Sequence, residues 1–436
     1  MTAIAAQHRH RAQPCVSVGM PGTRRLRLSV PAVSARVSPE SVASTLARMI
    51  ASQVAVTRAD LVRATGLARS TVATGLETLQ QAGVVCNVGV RATTGRGRPA
   101  RDLALSSSFG LVLVADLGAR SARLSVHTLS EELLGVSEIP LDVADGPEPT
   151  LATVIDEFKA LLAPIEHPRP VPLVLVAGLP GPVDVSRGVP VKPPIMPGWD
   201  DFPVAERLRA AFGCPVLCEN ESTLCALGEA RALAPDQTPL LYVKVSTGIG
   251  GGLVTGSGEL YHGADGAAVD IGHLRIHGTD EVLCACGNYG CVEAVASSSA
   301  ILRQLSQITP RHGDLPATPE ELMAALRVNE KTTTKLVRAA ARVVGEVVAN
   351  LVHVYNPARI VVGGALTIPS DHMLAGIRAV VFQRALPLAT RNLVIGYPTL
   401  GEWSGTSGGL VLGIEHALTP DALLAALEAH RHPRRR

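Results

Sequence analysis

The stretch that most constrains this chain runs from Ser246 to Glu293, where His273 is followed by Cys284-x-Cys286 and then by Cys291. One imidazole and three closely spaced thiolates are the donor set of a structural Zn2+ ion, which wants four tetrahedral ligands and no position open to water. The competing readings are a disulfide, or small core residues, because free cysteine packs as a buried hydrophobe. The chain shows no secretory h-region and no apolar run long enough to span a bilayer. A reducing, cytoplasmic setting without a membrane partner is therefore expected, and there a tight cysteine cluster is more often a metal site than a disulfide. Within the same stretch, Thr247-Gly248-Ile249-Gly250-Gly251-Gly252 follows the apolar run Leu240 to Val245. Glycines let a backbone approach a ligand closely, although an ordinary hairpin corner carries the same signal.

The chain has 436 residues, enough for two or three domains. Only 3% of residues are aromatic against 47% hydrophobic, so the core must rest on Val, Leu, Ile and Ala. A net charge of +2 excludes a general polyanion binder. The arginines are nevertheless uneven: Arg24, Arg25, Arg27 and Arg36 come early, and Arg91, Arg96, Arg98 and Arg101 follow.

Residues 1–37 lack helical or strand periodicity and read as a disordered basic arm. Ser38-Pro39-Glu40 is then a helix start, with a capping serine and a proline in first position. Val42, Leu46, Met49 and Ile50 trace its apolar stripe. Thr57-Arg58-Ala59-Asp60 opens a short second helix that stops at Thr65-Gly66. A third helix, Ala68 to Gln81, turns Val72, Leu76 and Leu79 inward and stops at Gly83, with Gly75 weakening it by about 1 kcal/mol. This is a helix-turn-helix pattern. Arg69, Ser70, Thr71 and Thr74 lie on the outward face, suited to phosphates and base edges in a major groove. The strand from Val84 and the tip Thr94 to Ala100 complete a winged module over 38–105, whose Arg96 and Arg98 suit a minor groove. The bland alternative is a helical dimerisation domain with solvated arginines.

An α/β pattern begins at Phe109. A buried strand, Leu111 to Asp116, ends on a carboxylate and Gly118; further strands are expected over Ala122 to Leu129, Pro172 to Ala177 and Val216 to Cys218. Glu219-Asn220-Glu221 stands at the C-terminal end of the last, where open sheets place ligands. The first lobe is read as 106–236 and the second as 237–420, with 421–436 a loose tail. In the second lobe, Lys331 to Tyr355 reads as one long helix burying Leu336, Ala340, Val343, Val347, Leu351 and Val354. Arg359 to Ala365 reads as a strand into a second glycine turn, Gly363-Gly364.

The motif series is Asp116-x-Gly118, Gly178-Leu179-Pro180-Gly181-Pro182, Glu219-Asn220, Thr247-Gly248-x-Gly250, Gly272-His273 and Cys284-x-Cys286-Gly287-x-x-Gly290-Cys291-x-Glu293. Set behind a winged helix-turn-helix, it resembles the ROK family over about residues 38 to 420. That family unites repressors and sugar kinases, and the fused N-terminal module marks its repressor branch. The resemblance implies an α/β, two-lobed actin-like ATPase (ribonuclease H-like) fold with a structural zinc loop. It implies sugar contacts at Asn220, Glu221, Asp270, His273 and Glu293, with His273 also joining Cys284, Cys286 and Cys291 on zinc. It assigns Asp116, Gly118, Thr247, Gly248, Gly250, Gly363 and Gly364 to a nucleotide site, here vestigial.

Three departures bear on activity. Glu221 stands where the family's kinases carry a catalytic aspartate, and a displacement near 1 Å can cost about 10²-fold in near-attack geometry. The first phosphate turn reads Asp116-Leu117-Gly118-Ala119-Arg120, without a second glycine or the threonine. Val269-Asp270 replaces Gly-Glu. The expected function is a sugar-responsive transcriptional regulator, a homodimer or homotetramer on double-stranded operator DNA. The alternative is an ATP/Mg2+-dependent sugar kinase with Glu221 as base.

Overall fold

The structure is a computed structural model of the chain and describes residues 25–30, 38–91, 100–165, 171–308 and 315–431. Its N-terminal module follows from local signals. Ser38 Oγ accepts the Ser41 N–H at 3.2 Å to start α1 (Pro39–Ala51), and Thr57 Oγ1 accepts the Asp60 N–H at 3.1 Å to start α2 (Arg58–Thr65). Gly66, at φ 68°, ends α2 in the left-handed conformation that favours glycine. In α3 (Arg69–Gln81), Gly75 faces α1: a Cβ there would lie 2.8 Å from Leu46 Cδ1 and 2.9 Å from Val42 Cγ1. The residue that weakens α3 locally is what lets the two helices approach. Strands β1 (Val85–Arg91) and β2 (Ala100–Leu105) pair antiparallel. The tip between them, with Arg96 and Arg98, lies outside the described residues.

The first lobe comprises β3 (Leu111–Leu117), β4 (Ser121–Thr128), β5 (Leu133–Pro140), α4 (Pro147–Leu162) and β6 (Pro172–Leu179). The small hairpin β7 (Val183–Asp184) and β8 (Val189–Pro190), α5 (Val204–Phe212) and β9 (Val216–Asn220) complete it. Its sheet runs β5-β4-β3-β6-β9, with β3, β6 and β9 parallel and β4 and β5 antiparallel. Strand periodicity sorts the core. Leu111, Leu113 and Leu117 of β3 join Phe158 of α4 and Leu208 of α5 on one face. Val112 and Val114 point to the other.

Helix α6 (Glu221–Ala232) leads to the second lobe: β10 (Leu240–Val245), β11 (Ile249–Val254), α7 (Val292–Ala296), α8 (Ser298–Ser306), α9 (Pro319–Arg327), α10 (Lys331–Tyr355), β12 (Arg359–Gly363), α11 (His372–Arg384), α12 (Pro387–Thr390) and β13 (Val394–Gly396). Its sheet runs β11-β10-β12-β13. The chain closes with α13 (Ser404–Ala417) and α14 (Pro420–Arg431). No single helix among the described residues is long and apolar enough to cross a membrane.

Four expectations need correction. The 1–37 arm is not loose throughout: Leu26 and Leu28 are buried, and the Arg27 N–H donates to the Arg231 carbonyl at 3.0 Å. The Leu26 N–H reaches Glu131 Oε2 at 3.2 Å and the Ser29 N–H reaches Glu415 Oε1 at 2.5 Å, so residues 25–30 strap the first lobe. The expected tail is largely helix α14, with Leu423 and Leu427 buried in the same cluster as α1. The second lobe does not extend to residue 420 in space, because α13 covers the Val112/Val114 face of the first sheet, which would otherwise stand in water. Lastly, α10 presents Val337, Ala341, Val344 and Val348 rather than Leu336 and Val343 as its most buried line, and Val354 is 72% exposed. Close approach of α11 sets this rotation: a Cβ on Gly345 would lie 2.8 Å from Val380 Cβ.

Candidate functional site: the interlobe cleft and its metal cluster

The two sheets face each other across a cavity of about 300 Å³. Asn220, Glu221, Asp270, His273 and Glu293 all line it, as do Gly118, Thr247, Gly248 and Gly250. Gly363 and Gly364 do not. A Cβ on Gly363 would overlap the Tyr242 hydroxyl and one on Gly364 would overlap the Val245 carbonyl, so close packing against β10 requires glycine at both, and the next residue, Ala365, reaches the cavity.

Each polar wall residue is held by the fold. Asn220 caps α6, its Oδ1 accepting the Ser222 and Thr223 N–H groups at 2.8 and 3.3 Å while Nδ2 donates to the Gly181 carbonyl at 2.9 Å. Glu293 Oε2 accepts the Ile249 N–H at 2.9 Å. Gly248 permits this, since a Cβ there would lie 2.5 Å from that oxygen. Burial raises the Glu293 carboxyl above its ordinary range. Val269 holds φ 65°, a conformation a β-branched side chain rarely adopts, and thereby sets Asp270 on the cleft wall.

Two cross-lobe ion pairs flank the cavity, and neither was anticipated from the sequence. Lys244, from β10, donates through Nζ to Glu221 Oε2 at 2.5 Å. Its signal was a lone charge in the apolar strand Leu240 to Val245, where a buried lysine needs a partner. Glu219, only 4% exposed, pairs through Oε2 with His262 Nε2 at 2.6 Å, and its other oxygen accepts the Asn220 N–H at 2.8 Å. The loop carrying His262 offered no comparable signal. At the first phosphate turn the Gly118 N–H closes onto the Ser121 carbonyl at 2.8 Å, and Arg120 lines the cavity beside it. Burial pushes the Asp116 carboxyl up to about 6, although the Lys244 ammonium pulls the other way.

His273, Cys284, Cys286 and Cys291 come together as the spacing led us to expect, with one ligand atom from each within 4.8 Å of all the others. Cys284 Sγ lies 3.7 Å from His273 Nδ1, and Cys286 Sγ lies 3.7 Å from Cys291 Sγ. A tetrahedral ion with metal–sulfur bonds of about 2.3 Å separates its donors by about 3.7 Å. Disulfide sulfurs would stand about 2.05 Å apart, so the geometry fits a metal ion and not a disulfide. The loop is tied on both sides: the Ile276 N–H donates to the Gly290 carbonyl at 2.7 Å, and the Val292 N–H to the Leu274 carbonyl at 2.9 Å.

On the N-terminal module, Arg69, Ser70 and Thr74 are exposed and Thr71 is half-buried. Ser70, Thr71 and Thr74 border a groove that α14 floors with Leu423, Leu424 and Leu427. The expected outward face is therefore in part the wall of that groove.

A sequence model of the ROK family matches residues 112–415. The chain belongs to the ROK family. The glucokinase of Halalkalibacterium halodurans is 28% identical over 307 residues, covering 67% of this chain and 92% of that enzyme. The DNA-binding transcriptional repressor Mlc of Escherichia coli is 25% identical over 382 residues, covering 85% of this chain and 92% of that protein. The crystal structure of a ROK family transcriptional regulator, a homologue of the E. coli Mlc protein, shares the fold with a TM-score of 0.71 at 22% identity, over 89% of this chain and 99% of that one. The ROK match begins inside β3 and ends inside α13, so the helical module before β3 stands outside the part that this ROK chain shares with the family model.

Proposed function

We propose that this ROK protein is a cytoplasmic DNA-binding transcriptional repressor of carbohydrate metabolism, responding to a sugar or sugar derivative held between its lobes. The observation that carries the reading is the three-helix module with its β1–β2 hairpin, built into the same hydrophobic cluster as α6, α13 and α14. The likeness to Mlc over 85% of the chain supports it. In this reading the hairpin is a wing, and Arg69, Ser70, Thr71 and Thr74 contact operator DNA with Arg96 and Arg98. A homodimer or homotetramer presents two α3 helices to successive major grooves of a near-palindromic site. Asn220, Asp270, His273 and Glu293 contact the sugar, and a structural zinc ion on His273, Cys284, Cys286 and Cys291 fixes the loop that aims His273 and Glu293.

Coupling requires the ligand to bind the two DNA-affinity states unequally. Closure of the lobes moves α6, whose N-terminus borders the cleft and whose C-terminal carbonyls hold the strap, and Arg48 of α1 donates to Ser29 Oγ of that strap at 2.6 Å. Selection of bound fragments from a random-sequence DNA library at fixed, near-physiological salt tests the reading, because non-specific affinity fades with salt. An enriched palindrome whose affinity changes with a sugar supports it. Absence of enrichment overturns it.

The likeness to a glucokinase over 67% of the chain favours a second reading, an ATP-dependent sugar kinase. That reading predicts sugar-dependent ADP release, which the regulator reading does not require.

A further inference from the structure

We propose that the Lys244 ammonium is a built-in counter-cation that takes the place of a divalent metal ion at the carboxylates of Glu221 and Asp116, so that the cleft accepts a sugar without a metal–nucleotide. Both residues come from the first lobe and pack against Gly178. A Cβ on Gly178 would lie 3.6 Å from Asp116 Oδ1 and 3.6 Å from the Glu221 Cα. Lys244 comes from the second lobe, on β10 between Gly250 of β11 and Gly363 of β12. Small partners on both sides leave its stem room to cross to Glu221, 2.5 Å away.

The exclusion is electrostatic and steric together. Mg2+ in nucleotide sites is held by one or two carboxylates plus phosphate oxygens at about 2.0–2.1 Å. An ammonium on Glu221 Oε2 and a divalent ion at that distance from the same oxygen would be neighbours of like charge within a half-buried site. Side-chain exposure is 21% for Lys244 and 13% for Glu221, so solvent screens them weakly. Burial alone would lower the Lys244 pKa, but the carboxylates of Glu221 and Asp116 outweigh it and keep the ammonium charged. The same contact occupies the Glu221 oxygen that would otherwise accept a proton from a sugar hydroxyl.

Titration of the full-length, zinc-loaded protein with Mn2+, followed by the paramagnetic resonance signal of the free ion, reads this directly. Lys244→Met is expected to gain one Mn2+ site at least tenfold tighter than any in the wild type. Lys244→Arg should gain none, and Lys244→Met/Glu221→Gln should lose the gained site. If Lys244→Met gains no site, the lysine is not what excludes the ion and the proposal falls. It also falls if the wild type binds Mn2+ at a site that Glu221→Gln abolishes, a comparison that does not depend on Lys244→Met folding. None of these outcomes bears on operator selection, so failure here and failure of the repressor reading are separately visible.

Discussion

Glu219 and His262 meet at 2.6 Å across the two lobes, with the carboxylate sealed in the core and the imidazole at the rim. The hydrogen bond that the protonated His262 ring donates to the Glu219 carboxylate raises the His262 pKa above 6.5, against the opposing effect of burial. A raised folded-state pKa means stabilisation that is full below the unfolded value and lost as pH rises through the folded one. The contribution is at most about 1 kcal/mol, because the imidazole is 36% exposed. Melting curves from pH 5.5 to pH 9 should show wild type above His262→Gln at the acid end, with the gap closing as pH rises. A gap that widens with pH would reverse the assigned sign.

Metal binding is expected at one ion per chain. Cys291→Ser should lose most of that metal by elemental analysis, and the loop over 277–290 should become sensitive to protease. Melting should fall by roughly 5 °C or more, since metal binding to a loop of this kind contributes folding free energy. Retention of the metal in Cys291→Ser would remove that residue from the ligand set.

Helices α6 and α13 cross with backbone against backbone. A Cβ on Gly228 would overlap the Ser404 carbonyl, and one on Gly408 the Leu224 carbonyl. Either Gly→Ala change should cost about 3 kcal/mol or more, because neither backbone can move aside. Gly258→Ala, with open space around it but φ 84°, should cost only about 1 kcal/mol of backbone strain. Urea midpoints of the three variants decide the matter.

Removing Glu415 should release the strap. Its carboxylate accepts the Ser29 N–H at 2.5 Å and pairs with Arg231, 6% exposed, at 3.1 Å. Glu415→Ala leaves that guanidinium buried without its carboxylate, a loss of about 3 kcal/mol. Hydrogen exchange should rise first at residues 25–30. Unchanged exchange there would mean that Leu26 and Leu28 hold the strap unaided.

What could be read from the sequence was whatever a local signal encodes. The caps Ser38 and Thr57, the full span of α10 and the ligand set of the metal loop all emerge from short-range spacing. The rotation of α10 did not, because apolar residues ring much of its surface and only α11 decides which line is innermost. Leu26 and Leu28 form too short an alternation to stand out among arginines. Helix α14 was obscured by the basic residues that follow it. The cleft residues were found through the family's motifs, whereas Lys244 and His262 act across lobes separated in sequence, where no spacing rule reaches.

Helix α6 is buried on every side from Ser222 to Ala232. Asn220 is fixed to its first turn, and the Ala230 and Arg231 carbonyls near its last residue hold Arg27. Twelve residues at 1.5 Å each make a rod of about 18 Å with both ends anchored. Its phase is therefore locked as well as its length. One inserted residue would turn the cleft end against the strap end by about 100°, so this segment can change in composition but not in register.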